Sequence, residues 1–223
     1  MSAHIDRATA TDVTDVADLV ARAFQQLAVA RWLAVAPTRR LTCLREQFGL
    51  LIAHAVDHGH VDVMSDGTGA AVWFARTSAI PEPPDYDERL SKICGPLLPR
   101  FVALDDAFAA HHPEDPHHHL AFLAVRQDVR QKGIGTALIE HHHRFLDQES
   151  IPAYLEASGP STRDLYARLG YAVRSVITLP RGPRMWPMWR EPRGGGGHRD
   201  VMLVAADAGP SGDATTSATR AAR

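Results

Sequence analysis

The stretch that most constrains this chain is HHHLAFLAVRQDVRQKGIGTALIEHHHRFL, residues 117–146. Its first part, 117–125, carries an apolar run suited to a central strand. A basic loop follows and holds Arg130, Lys132, Gly133 and Gly135. From Ile134 the apolar residues then recur at helical spacing. A strand delivered through a glycine turn into a helix is the repeating move of α/β architecture.

The flanking sequence extends that reading. HIDRATATDV reads as a short strand running into a helix start, with Thr11 or Asp12 as N-cap before VTDVADLVARAF. A second helical pattern runs from about Arg39 to Val56, and a third region from about Asp87 to His111. Between them, GHVDVMSDGTGAAVWFA holds two strand-like runs around Asp66-Gly67, a hairpin signal. After the central helix, residues 151–158 read as a strand. STRDLYARLG reads as a short helix capped by Ser161 and stopped at Gly170. YAVRSVITL and RMWPMWRE are two more strand-like runs separated by a PRGP turn. The expectation is one mixed α/β domain over residues 1–192. Residues 193–223, rich in Gly, Ala, Thr and Ser, lack large apolar anchors after Val204 and read as a disordered tail.

A helix N-terminus exposes unpaired N–H groups and about half a positive charge, so it can hold an anion. Glycine in the preceding turn keeps side chains away from those donors and permits positive φ. Gly133 and Gly135, beside Arg130 and Lys132, therefore describe a pyrophosphate cradle directly after a strand. The spacing is not that of a P-loop, and the third glycine of a dinucleotide fingerprint is missing.

LAVRQDVRQKGIGTALI followed by LYARLGY resembles the acetyl-CoA-binding core of the GNAT superfamily of N-acetyltransferases. The signature [RQ]-x-x-G-x-[GA] is met by Arg130, Gly133 and Gly135. The later L-Y-x-x-x-G-[FY] is met by Leu165, Tyr166, Gly170 and Tyr171. DGTGAAVWFA, IPAYLEAS and LPRGPRMWPMW also look like the matching stretches of puromycin N-acetyltransferases and their actinobacterial relatives. The resemblance implies a mostly antiparallel mixed sheet flanked by helices. It also implies acetyl-CoA as cosubstrate, with its pantetheine arm along Leu123 and Val125. The diphosphate is expected on Arg130, Gln131, Lys132, Gly133, Ile134, Gly135 and Thr136. Tyr166 is the expected general acid, against a packing role for the same ring. Glu156, on the strand AYLEAS, is the expected base, with Asp105, Asp106 and the histidines before the central strand as rivals. Phe24, Trp32 and Trp73 are expected to wall the acceptor pocket.

The chain has 13 histidines, but adjacent residues point in different directions, so the clusters do not supply convergent ligands and no metal is expected. Of His141–His143, mid-helix, two are expected to face solvent. Net charge is −2 with no basic tract, which points away from nucleic acid and anionic membranes. No apolar run approaches a bilayer span, and no secretion signal is visible, so a cytoplasmic monomer or homodimer is expected. The apolar stretch 23–37 lacks an acidic cluster and favours an aromatic or amphipathic amine, in resistance or secondary metabolism. Two other readings stay open. One is acetylation of protein N-termini or lysines; the other is a non-catalytic acyl-CoA-binding module.

Overall fold

The computed structural model describes residues 4–194. Strand β1 (Ile5–Arg7) leads through a 3-10 turn at Ala10–Asp12 into helix α1 (Val13–Phe24). Asp12 is the N-cap of α1, as expected, and its carboxylate turns back to accept from the Thr9 N–H at 2.7 Å, which closes the 3-10 turn that Thr9 begins. Helix α2 (Ala28–Leu33), not expected from the sequence, precedes α3 (Pro37–His58). Strands β2 (Gly59–Met64) and β3 (Gly69–Arg76) form the anticipated hairpin. Its turn is fixed by Thr68 donating to Asp66 Oδ1, with Gly67 at φ 68°.

The helical region expected over 87–111 is two helices, α4 (Tyr86–Cys94) and α5 (Leu98–Ala109). Gly95 at φ 52° and Pro96, which has no N–H to donate, break it. Strand β4 (His117–Val125) and helix α6 (Ile134–Gln148) follow as the opening stretch predicts. Next come β5 (Ala153–Ala157) and α7 (Pro160–Arg168). The N-cap of α7 is Gly159, whose N–H donates to Thr162 Oγ1 at 3.1 Å; Ser161 lies inside the first turn. YAVRSVITL yields only β6 (Ala172–Val173) and β7 (Ile177–Thr178), both paired to β8 (Arg184–Arg190). The tail expected over 193–223 lies, from residue 195 on, outside the described residues.

The sheet runs β1-β2-β3-β4-β5-β8-β6, and β4–β5 is its parallel pair. A parallel pair needs a crossover, and α6 provides it. Alternation along β3 divides the core. Val72 and Phe74 pack under α1, α3 and α5, whereas Ala71 and Trp73 pack with Leu138, Ile139 and Leu146 of α6. On that second face His142 and His143 are buried, correcting the expectation that two of the three histidines meet water. His142 stacks on Trp73 with centroids 4.3 Å apart and lies 3.0 Å from His118 Nδ1; His143 Nε2 lies 2.9 Å from the Tyr171 hydroxyl. Their polar edges are therefore partnered, and their flat faces pack like other aromatics.

Candidate active site

Strands β4 and β5 pair only at His118↔Ala153 and His119↔Tyr154. Beyond these residues β4 stays on β3 as far as Val125, with a bulge where Val72 faces Phe122 and Trp73 faces Leu120, leaving Ala121 unpaired. The edge of β4 that faces β5 is therefore free of strand pairing from Leu120 on. A cavity of about 1330 Å³ opens against this seam. Its floor includes Phe122, Leu123, Val125 and Glu156, and residues of α1, α3 and α5, with Tyr86 of α4, line the opposite wall.

At one end of the cavity sits the glycine loop. The first backbone bond of α6 is Ala137 N–H to Gly133 O at 2.9 Å. Among the described residues, the N–H groups of 131–136 have no protein acceptor. Gln131 and Gly133 both have positive φ, 65° and 80°, the left-handed conformation from which anion-binding nests of successive amides are built. A Cβ on Gly133 would project into open space, whereas one on Gly135 would touch Leu123 and Val125 at 3.5 Å. Gly133 thus keeps the approach to the amides clear, and Gly135 lets α6 sit close to β4. Arg130 steadies the loop, donating to Val125 O at 3.4 Å and Ala23 O at 3.2 Å. The residues present fit a diphosphate.

Beyond the loop, Tyr166 of α7 lines the cavity, 9% exposed, with its ring edge-on to Tyr171 at 5.8 Å. Burial pushes its phenol well above the usual range, so it keeps its proton. Glu156 Oε2 accepts from His119 Nε2 at 2.9 Å, while Oε1 is buried and has no protein partner among the described residues. Burial alone would raise the Glu156 carboxyl. The charge and hydrogen bond of His119, with smaller help from the Tyr154 hydroxyl and His112, outweigh it and hold the group below its ordinary range. His112 also lines this region, pushed down to about 3 chiefly by burial.

The structure brings together on the cavity Leu123, Val125, Arg130, Gln131, Gly133, Ile134, Gly135, Thr136, Glu156, Tyr166 and Phe24. Lys132 is exposed beside the loop and is not part of the wall. Two aromatic expectations need correction. Trp73 is fully buried on the far face of the sheet against His142, and its neighbour Phe74 takes the cavity side. Trp32 donates its indole N–H to Pro180 O at 3.1 Å and packs against Gly182, outside the cavity wall. The aromatic wall is instead Phe24, Phe48 and Phe122, with centroids 4.7 to 5.8 Å apart. His119 belongs to the histidine run that the sequence offered as a rival base, whereas Phe48 and Phe122 were not singled out as pocket residues. The alternation of β4 around its bulge is the signal that bears on His119 and Phe122.

Residues 100–173 match the family model of the acetyltransferase (GNAT) domain. A curated relative, an uncharacterized N-acetyltransferase of Schizosaccharomyces pombe, is 33% identical over 82 residues, 35% of this chain. The chain spans only a third of that relative's length, 33%. Among solved structures, one from Corynebacterium glutamicum described as histone acetyltransferase HPA2 and related acetyltransferase superposes with TM-score 0.67. It is 28% identical, and the match covers 86% of this chain and 97% of that one. This chain has the GNAT acetyltransferase fold. Two more distant structures show the same fold. Arylalkylamine N-acetyltransferase 2 of Aedes aegypti has TM-score 0.57 at 13% identity, covering 86% of this chain and 99% of that one. The PaiA N-acetyltransferase of Thermoplasma acidophilum, solved with coenzyme A, has TM-score 0.54 at 11% identity, with coverage of 86% and 99%. The match to the GNAT domain and the N-acetyltransferase relatives support an acyltransferase. The GNAT match runs from α5 through β4, α6, β5 and α7, the elements that carry the glycine loop, Glu156 and Tyr166.

Proposed function

We propose that this protein is an acetyl-CoA-dependent N-acetyltransferase. In this reading it transfers acetyl to a primary amine of a small, aromatic or aminonucleoside-like acceptor by direct attack on the thioester. The observation that carries the reading is a convergence. Unpartnered amides at 131–136, the unpaired edge of β4, Glu156 and Tyr166 all belong to one cavity.

The diphosphate of acetyl-CoA rests on the amides of 131–136, and its pantetheine arm adds to the free edge of β4 like a further strand. The thioester then lies near Val125, between Glu156 and Tyr166. Glu156 takes a proton from the acceptor ammonium, directly or through a water. The freed lone pair attacks the thioester carbon, and backbone N–H groups near Val125 support the oxyanion. When the tetrahedral intermediate collapses, the C–S bond breaks and the Tyr166 hydroxyl supplies the proton that the departing thiolate takes. The nitrogen gives up its second proton as the intermediate collapses, which restores the Tyr166 hydroxyl; the products are the amide and CoA, and the proton held on Glu156 passes to solvent.

The depth of the cavity, about 1330 Å³ with helical residues opposite the sheet, favours a small acceptor over a protein tail, which asks for a shallow groove. The apolar wall of Phe24, Phe48 and Phe122 suits an aromatic body. The likeness of DGTGAAVWFA and LPRGPRMWPMW to puromycin N-acetyltransferases makes puromycin one candidate acceptor. The proposal includes one N-acetyltransferase domain over 1–192 and a cytoplasmic setting; no helix among the described residues is long and apolar enough to cross a membrane. The test is thiol release from acetyl-CoA by the purified protein across a panel of amines, puromycin and lysine-containing peptides included. Turnover confined to small aromatic amines supports the reading. Turnover confined to peptides, or CoA binding without thiol release, overturns it.

A further inference from the structure

Besides Glu156 the cavity is lined by two carboxylates that the transfer chemistry does not use, Glu82, which is exposed, and Asp105, which is partly buried. Asp105 of α5 lines the helical wall, across from the sheet floor that carries Glu156. Its Oδ2 accepts from the Tyr86 hydroxyl of α4 at 3.3 Å, and Tyr86 and Gln47 line the same wall. Burial raises the Asp105 carboxyl to about 6; the Tyr86 hydrogen bond opposes the shift, and Asp106 and Asp87 add to it.

Glu156 and Asp105 differ in what faces them. Glu156 has His119 at 2.9 Å and feels the charge of Arg76. Among the described residues, no Lys, Arg or His forms an ion pair with Asp105. A half-buried carboxylate with one hydrogen bond and no counter-charge is costly to keep for stability alone. The same cavity also holds Glu156 Oε1, on a side chain 6% exposed, with no protein partner. A ligand with one positive end therefore leaves the other acidic position unanswered. Phe48, Phe122, Leu104 and Phe108 give the same cavity apolar wall, beside the polar Gln47 and His54.

We propose that Asp105 is a specificity group that selects a dicationic acceptor, in which an apolar or aromatic body separates the acetylated amine from a second charged nitrogen. The inference rests on the acetyltransfer reading for the role of Glu156 and adds the chemistry at the far end of the acceptor. Tyr86 holds Asp105 in place, and the second nitrogen donates to the free carboxylate oxygen. The neutral end of a monoamine leaves that oxygen unanswered.

The experiment compares matched amines, 1,4-bis(aminomethyl)benzene against 4-methylbenzylamine and 1,8-diaminooctane against octylamine. For each pair, kcat/KM is measured with acetyl-CoA. Binding is measured calorimetrically in the presence of CoA, which needs no turnover. The expected result is a preference for the diamine of at least about tenfold that falls to near unity in Asp105→Asn. Asn still accepts from Tyr86, and the thermal midpoint of the variant checks the fold. A preference that survives in Asp105→Asn, or a wild-type protein that binds both members of each pair equally, overturns the proposal. If the diamines bind preferentially and no thiol is released, the acetyltransfer reading fails while this selectivity stands.

Discussion

His119 Nε2 donates to Glu156 Oε2 at 2.9 Å across the seam where β4 and β5 cease to pair. The bond ties the last paired residue of β4 to a carboxylate two residues beyond its own last pair on β5. It orients Glu156 so that one oxygen is occupied and the other stays open. Glu156→Gln retains the size of the side chain and a hydrogen-bond partner for His119. Turnover is expected to fall by about 10²–10⁴ with CoA affinity unchanged. Single-turnover kinetics beside CoA calorimetry make the check, and an unchanged rate removes Glu156 from the proton path.

Tyr166 has a protonated phenol facing the cavity, and removal of its oxygen leaves the ring packed on Tyr171. Tyr166→Phe is expected to slow turnover at least about tenfold while CoA binding and thermal stability hold. Full activity in the variant assigns the ring to packing alone.

Gly133 and Gly67 make a matched pair. Both have positive φ, 80° and 68°, and at neither would a Cβ meet an atom within 4 Å. Alanine at either position should cost about 1–2 kcal/mol in stability through backbone strain. Only Gly133→Ala should also weaken CoA affinity, by at least about tenfold, because its methyl enters the approach to the amides. Equal CoA affinity in the two variants contradicts the cradle.

The buried histidines predict acid sensitivity. Burial pushes His117 down to about 4 and His118 and His143 to about 3, against an unfolded value near 6.5. Below about pH 6.5 the unfolded chain binds protons that the folded one refuses, so stability falls as pH falls. The slope approaches about 1.4 kcal/mol per pH unit for each such histidine until the folded values are reached. Urea midpoints at pH 7 and pH 5 should differ sharply, with the lower at pH 5. A flat profile contradicts the burial assigned to these rings.

Where local chemistry decides, the sequence was readable. The strand over 117–125, the Asp66-Gly67 hairpin and the glycine loop each carry their own signal in residue type and spacing. What failed depended on partners distant in sequence. Trp73 and Phe74 are adjacent and both apolar, so alternation separates them without saying which face holds the cavity. His142 and His143 read as polar until Trp73 and Tyr171 stand opposite them. The six residues of α2 are too few to show periodicity. Asp105 was one of several acidic residues on a helix whose inward face only the packing of α4 and α5 determines.

The central claim is that the amides of residues 131–136 hold the diphosphate of coenzyme A. It is tested most directly by a crystal structure of the protein with that nucleotide bound. The expected result is phosphate oxygens within about 3 Å of backbone nitrogens in this loop, with the pantetheine along the free edge of β4. A diphosphate lodged elsewhere, with these amides facing only solvent, would contradict the claim.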